Sequence, residues 1–250
     1  MFHMKQIFLG VVATIIIVSQ AEKASADVVY WNNNNGSGNR SWSVGSNWNS
    51  GTAPTSADTA MIMGTAWSIS LINMPIISTA NNFANQVYVQ SGAGLSVRAG
   101  GLLTATDLIT GNDGNSNVVD ISGGGQIILS GYLNLGPGSF DGKVNISNGS
   151  LFANNLTINS TGGAGMNIGT NGSFVLTSSA QNISNLNYWI ANNTITANSG
   201  AAGWSLNLDT ASQDGKLVVT AVAVPEPSTL ASLGMGLVLL VATRSLRKKS

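Results

Sequence analysis

The sequence predicts an all-β protein whose body is a short right-handed parallel β-helix, a solenoid closed by capping strands. Two observations support this prediction: short apolar alternations fill the middle of the chain, and several of them recur at a nearly constant spacing. A third observation concerns the two ends, which predict an N-terminal signal helix and a C-terminal single transmembrane helix. A β-sandwich is the alternative, because regularly spaced short strands also suit that fold.

The strands are predicted from alternation of apolar and polar residues. Val119-Asp120-Ile121, Leu133-Asn134-Leu135 and Val144-Asn145-Ile146 each place every second side chain on one face. Clusters of Gly and Asn, which favour tight turns, separate these segments.

The solenoid is predicted from the spacing of four glycines. Gly101, Gly125, Gly149 and Gly172 follow one another at intervals of 24, 24 and 23 residues. Apolar residues recur near these glycines, and in a solenoid such inward residues of successive turns stack into a continuous core. Two residues after the glycines come Leu103, Ile127, Leu151 and Phe174, which are expected to form one column. Three or four residues before them come Val97, Ile121, Ile146 and Ile168, and seven or eight residues after the first three come Leu108, Leu133 and Leu156.

The repeats are assigned to residues 91–180, with a cap on each side. Residues 27–90 form a Trp-rich N-terminal cap and the first strands, in which Trp31, Trp42 and Trp48 cover the end of the core. A carbohydrate-binding platform of exposed indole rings is the alternative for these tryptophans. Residues 181–223, with Tyr188-Trp189-Ile190, Trp204-Ser205-Leu206 and Lys216 to Val222, are expected to close the other end as antiparallel strands.

Residues 1–26 have the features of a secretory signal peptide. A basic start, Met1 to Lys5, precedes the apolar stretch Ile7 to Ser19, and Ala24-Ser25-Ala26 gives small residues where signal peptidase requires them. The sequence therefore predicts cleavage before Asp27, with an uncleaved N-terminal anchor as the alternative.

The predicted mature body carries few charges. From 27 to 224 it has eight acidic and four basic residues, a formal charge of −4, and it has no cysteine. A nucleic-acid partner is not expected, because the basic surface for phosphate contacts is missing. Solubility must then depend on neutral Asn, Ser, Thr and Gly.

The last 27 residues, 224–250, have three parts. Val224-Pro225-Glu226-Pro227 is extended, because proline restricts both itself and the residue before it. Residues 229–243 are uncharged and apolar, enough for a short transmembrane helix. Arg244, Arg247, Lys248 and Lys249, in the basic tail 244–249, act as a membrane stop that stays in the cytoplasm.

This tail resembles the PEP-CTERM sorting signal of Gram-negative bacteria. The resemblance implies that Val224, Pro225, Glu226 and Pro227 are the sorting motif and that an exosortase, a membrane-embedded cysteine protease, recognises it. It also implies passage through the inner membrane to the cell surface or the extracellular polysaccharide matrix, as in biofilm. A plain C-terminal anchor is the alternative.

A catalytic role is not expected. The single histidine is His3, in the signal peptide, so the body lacks a Ser-His-Asp triad, a Cys-His pair and a His-built zinc site. No catalytic, cofactor or metal residues are assigned. The best acidic candidates, Asp113 and Asp120, suit a polar turn better than a calcium site.

Three functions are therefore compared. The favoured one is an exported, non-catalytic structural or adhesive protein, with signal peptidase and exosortase as processing partners and extracellular polysaccharide as a ligand. The others are a carbohydrate-binding module and a polysaccharide-active enzyme on a β-helix.

Overall fold

The structure is a computed structural model, and it describes residues 26–32, 38–64, 74–112, 116–138 and 140–225. Within these residues it contains strands and one α-helix. The strands are β1 Val28–Tyr30, β2 Thr59–Met63, β3 Ile76–Ile77, β4 Asn82–Phe83, β5 Gln86–Gln90, β6 Gly94–Val97, β7 Leu102–Ala105, β8 Asp107–Thr110, β9 Asn117–Ser122, β10 Gln126–Leu129, β11 Tyr132–Leu135, β12 Gly142–Ser147, β13 Ser150–Ala153, β14 Asn155–Ile158, β15 Gly165–Ile168, β16 Ser173–Thr177, β17 Ile195–Ala197, β18 Trp204–Asp209 and β19 Lys216–Ala223. The helix α1 is Ala180–Ala191.

The strands form three sheets that the chain visits in turn. The first sheet has the order β1-β2-β5-β8-β11-β14, the second β17-β15-β12-β9-β6-β3, and the third β18-β19-β16-β13-β10-β7-β4. Four successive turns, starting at β5, β8, β11 and β14, each add one strand to every sheet, and β2 to β4 precede them. The body is thus a parallel β-solenoid, as predicted, and the sandwich alternative is wrong. Its stacked strands begin upstream of residue 91.

The apolar columns expected from the spacing are present. Leu103, Ile127, Leu151 and Phe174 occupy neighbouring positions on β7, β10, β13 and β16. The sets beginning at Val97 and at Leu108 also lie in register on neighbouring strands. All of these side chains are buried, so successive turns share one continuous core.

The repeated glycines allow the turns to approach closely. They lie where the chain passes from the second sheet to the third. A Cβ added to Gly125 would lie 2.5 Å from the carbonyl oxygen of Val97 in the turn before, and one on Gly101 or Gly172 would also meet the backbone of a neighbouring turn. Glycine recurs here because there is no room for a side chain.

Tryptophans close the N-terminal end of the core. Trp42 and Trp48 are 1% and 2% exposed and meet edge to face, with ring centroids 4.8 Å apart. The indole N–H of Trp48 donates to the carbonyl oxygen of Trp42 at 2.7 Å. The indole nitrogen of Trp42 has no hydrogen-bond partner among the described residues. Trp42 also donates its backbone N–H to Ile76, so this segment extends the second sheet beyond β3.

The C-terminal end corrects one expectation. Tyr188-Trp189-Ile190 was expected in a strand but lies in α1, and only β18 and β19 are the antiparallel strands predicted there. The hydroxyl of Ser179 caps α1 by accepting from the backbone N–H of Asn182 at 3.1 Å. Leu186 and Trp189 lie on one face of the helix, and both side chains are buried in the core. Burial of this face outweighs the weak helix propensity of its many Asn residues.

Candidate functional site

The sorting motif begins at the end of the last strand. β19 pairs with β16 from Lys216 to Thr220 and with β18 from Val218 to Ala223, so its last three residues pair with β18 alone. Val224 extends this pairing, since its backbone N–H donates to the carbonyl oxygen of Gly203 at 2.7 Å. Pro225 cannot continue the ladder because it has no N–H. The first residue of the motif is therefore hydrogen-bonded at the end of the last strand.

The residues around this junction face solvent. Val222 is 39% and Val224 is 47% exposed, and Pro225 is exposed as well. Glu226 and Pro227, the predicted helix 229–243 and the basic residues that follow it lie outside the described residues. Among the described residues no helix is long and apolar enough to cross a membrane.

The predicted signal-peptidase site lies at the opposite end of the stack. Ala24 is outside the described residues, while Ala26 and Asp27 are exposed at the start of β1. The backbone carbonyl oxygen of Asp27 accepts from the backbone N–H of Thr59 at 2.8 Å, and the backbone N–H of Asp27 donates to the Asp58 carboxylate at 3.2 Å. Both backbone groups of the first residue after the predicted cleavage site are thus hydrogen-bonded.

Asp58 is the centre of this N-terminal contact. One of its carboxylate oxygens accepts from the backbone N–H and the hydroxyl of Thr55, at 2.8 and 2.7 Å. Burial raises the pKa of Asp58, but the hydrogen bonds from Thr55 and Asp27 together outweigh it and hold the pKa below its ordinary value. Asp58 is therefore charged at neutral pH, although it is only 8% exposed.

A polar row runs along the outer face of the second sheet. It contains one residue from each of five neighbouring strands, and the row is Ser96, Asp120, Asn145, Asn167 and Thr196. The amide of Asn145 donates to Asp120 at 2.8 Å, and the amide oxygen of Asn167 accepts from the backbone N–H of Ser199 at 2.6 Å. Ser96 is buried and accepts from the Arg98 side chain, so the other four residues present hydrogen-bonding groups once per turn, about 4.8 Å apart.

A shallow groove lies along one end of this polar row. It has a volume of about 320 Å³, and its polar lining includes Lys143, Asn145, Asn167, Thr194 and Thr196. The ammonium of Lys143 lies 3.3 Å from the Asp141 carboxylate, and its side chain is 49% exposed. Amides, hydroxyls and one partly neutralised cation suit a polar, uncharged or weakly acidic ligand.

The tryptophans do not form a platform in the described part of the chain. Trp42, Trp48 and Trp189 are buried in the core, and Trp31 packs edge to face on Trp48. Trp204 is half-buried in β18, and Trp67 lies outside the described residues. This arrangement argues against the hypothesis that the protein is a carbohydrate-binding module with exposed indole rings.

Most described aspartates contact structural partners. Asp107 accepts from the Gln86 side chain and from the backbone N–H of Tyr132, and Asp209 accepts from two backbone N–H groups of the turn after β18. Within the described ranges no three acidic, His or Cys side chains come together in a way that could hold a metal ion.

The fold and the tail that follows it define a class of protein: a β-solenoid with a processing signal after its last strand. The comparisons name this signal. Residues 223–248 match the PEP-CTERM protein-sorting motif, which confirms the resemblance found in the tail. The chain is thus an exported protein that an exosortase processes and that is sorted to the cell surface. No curated protein and no solved structure matches the chain.

Sequence reasoning missed two of the functional features. The role of Asp58 was not visible, because its contact with Asp27 joins residues 31 positions apart. The polar row carried a signal, since Asp120 and Asn145 are the middle residues of two alternations that gave the apolar columns. A search for polar residues that recur at the same interval as the apolar columns would have revealed the polar row.

Proposed function

We propose that the mature body is a non-catalytic structural or adhesive element of the cell surface or the extracellular polysaccharide matrix. The observation that carries the proposal is the polar row on the second sheet, with the groove at its end. A rigid stack presents the amides of Asn145 and Asn167, the Thr196 hydroxyl and the Asp120 carboxylate at a fixed spacing, which suits repeated hydrogen bonding to a polysaccharide chain. Processing at the motif would free this face from the membrane.

The structure favours this role over the other two functions. Buried tryptophans argue against a stacking platform for sugar rings. The described aspartates mostly have hydrogen-bond partners within the fold, which supports a structural role for them over general acid–base catalysis. A preparation incubated with the host's own polysaccharide should therefore leave the chain length of that polymer unchanged, as measured by gel filtration.

The adhesive role is tested by co-sedimentation with the matrix polysaccharide of the native host. Replacing Asn145 and Asn167 by Ala should lower the bound fraction, since both amides line the groove. Ser150→Ala with Ser173→Ala is the matched control, because these two residues also sit in register on neighbouring strands, on the third sheet. Equal binding by the Asn pair and the wild type would refute the polar row as the adhesive face.

A further inference from the structure

The C-terminal end of the stack leaves one long strand edge open. β18 has six residues and is the longest strand at a sheet edge in the described part of the chain. It pairs with β19 on one side, and no described residue pairs with its other side. An open edge of this kind is a template for pairing with another strand.

The open side of β18 presents a defined set of backbone groups. Because Val224 donates to Gly203, alternation along the ladder directs the N–H and C=O groups of Ser205, Asn207 and Asp209 towards β19. The corresponding groups of Trp204, Leu206 and Leu208 therefore face outwards. The sequence WSLNLD also lacks the Lys and Pro residues that commonly protect a strand edge, and its one charge lies at the end.

The side chains on this edge are also incompletely covered. Leu206 and Leu208 pack against the core but are only partly buried, and Trp204 beside them is partly buried as well. They share the core side of β18, opposite Ala221 and Val219 of β19. A partner strand would cover these three apolar side chains while satisfying the outward backbone groups.

We propose that β18 pairs antiparallel with β18 of a second copy, so that the third sheets of two bodies become continuous. Leu206 lies on the two-fold axis, and Trp204 pairs with Leu208 of the other copy. Ser205 then faces Asn207, and Asp209 faces Gly203, so no like charges meet. The strand is thus complementary to itself in backbone, apolar contacts and charge.

The rest of the fold favours a closed pair over a fibre. At the N-terminal end the outer edge of β1 is covered by Asn49, whose N–H and side-chain oxygen both bond to the backbone of Tyr30. The edge of β3 is covered by the segment before Trp42, and β4 has only two residues. The last described hydrogen bond of the chain joins Val224 to Gly203, at one end of β18 and on the side of β19.

The full-length gene is expressed in a bacterium that carries an exosortase, and the protein that accumulates is purified, in mild detergent if its tail is intact. Analytical ultracentrifugation over a series of protein concentrations should show a monomer–dimer equilibrium. Leu206→Pro removes an outward backbone N–H, whereas Leu206→Ala retains it. The dissociation constant of the dimer should therefore be at least about tenfold higher for the proline variant than for the alanine variant. A monomer at every concentration, species larger than a dimer, or equal association of the two variants would overturn the proposal.

Cysteine cross-linking tests the register, since the chain has no cysteine of its own. Leu206→Cys should form a disulfide-linked dimer on mild oxidation, because the two positions face each other across the axis. Asn207→Cys is the matched control on the same strand: its two copies lie diagonally, about 7–8 Å apart, which exceeds disulfide reach. It should cross-link only when mixed with Ser205→Cys. Equal cross-linking of Leu206→Cys and Asn207→Cys would overturn the antiparallel pairing, whether or not the tail has been removed.

Discussion

Asp58 offers the sharpest test of how export and folding are linked. Cleavage before Asp27 would turn the backbone N–H that donates to Asp58 into a charged α-ammonium group. That nitrogen lies 3.2 Å from the carboxylate, so the mature protein would gain an ion pair that the precursor lacks. The ion pair would hold β1 on β2 at the covered end of the core.

The magnitude follows from the hydrogen bonds of Asp58. Three donors from Thr55 and Asp27 reach the carboxylate, and a hydrogen bond to a charged group contributes about 1.5–3 kcal/mol. Water can replace part of this in Asp58→Ala, because the donors lie near the surface, so we expect a loss of about 1.5 kcal/mol in the free energy of unfolding. The thermal midpoint should then fall by about 3–6 °C. Asp214→Asn, on an exposed turn, should change stability by less than about 0.5 kcal/mol.

The assay is a double-mutant cycle with urea unfolding. One pair of proteins begins at Asp27 and the other retains Ala26, and each is compared with its Asp58→Asn variant. We expect Asp58→Asn to cost about 0.5–1 kcal/mol more when Asp27 is the first residue, because only then is an ammonium group lost as a partner. Equal costs in both backgrounds would refute the ion pair.

The pH dependence follows from the lowered pKa of Asp58. Since this pKa lies below its ordinary value of 3.8 in the folded protein, the stabilisation is complete above about pH 4 and is lost as the pH falls through the folded pKa. The difference in unfolding free energy between wild type and Asp58→Asn should shrink in that acid range. A difference that stays constant from pH 7 down to pH 2 would contradict this reasoning.

Three further predictions concern the core and the tail. Ile127→Asp should cost several kcal/mol or prevent folding, because it places an unpaired charge at a position that is 1% exposed; circular dichroism of the soluble fraction checks this. Gly125→Ala should cost about 1–3 kcal/mol by urea unfolding, since its Cβ would press on the backbone of Val97, and a loss below about 0.5 kcal/mol would contradict that crowding. Pro225→Ala with Pro227→Ala should leave full-length protein in the inner membrane, whereas deletion of 229–250 should release the protein unsorted into the periplasm. Immunoblots of cell fractions measure both outcomes. Normal delivery of the proline variant to the surface would show that the tail is only an anchor.

The inward half of the solenoid could be predicted from the sequence because its physics repeats. Leu103, Ile127, Leu151 and Phe174 meet the same requirement in each turn, and the crowding at Gly125 explains why glycine marks the interval. Because the same packing requirement recurs in every turn, apolar residues and glycines recur at a regular interval, and this interval can be recognised in the sequence alone.

The ends could not be predicted in this way, because each position there is unique. Residues 180–191 have weak helix propensity, and they become helical because Ser179 caps them and Leu186 reaches the core. The capping serine and the spacing of Ile183, Leu186 and Ile190 were signals of a helix. They were outweighed by the short apolar run Tyr188 to Ile190, which resembles a strand when read alone.

The position of the sorting motif constrains how it can be processed. A protease that binds its substrate in extended form needs free backbone on both sides of the motif. Upstream of Pro225, residues 221–223 pair with β18 alone and Val224 bonds to Gly203, whereas residues 218–220 pair on two sides. Freeing these few residues would break only one ladder of hydrogen bonds, and the core beneath Val219 would stay closed. We therefore predict that an exosortase can bind the end of β19 in extended form without unfolding the solenoid.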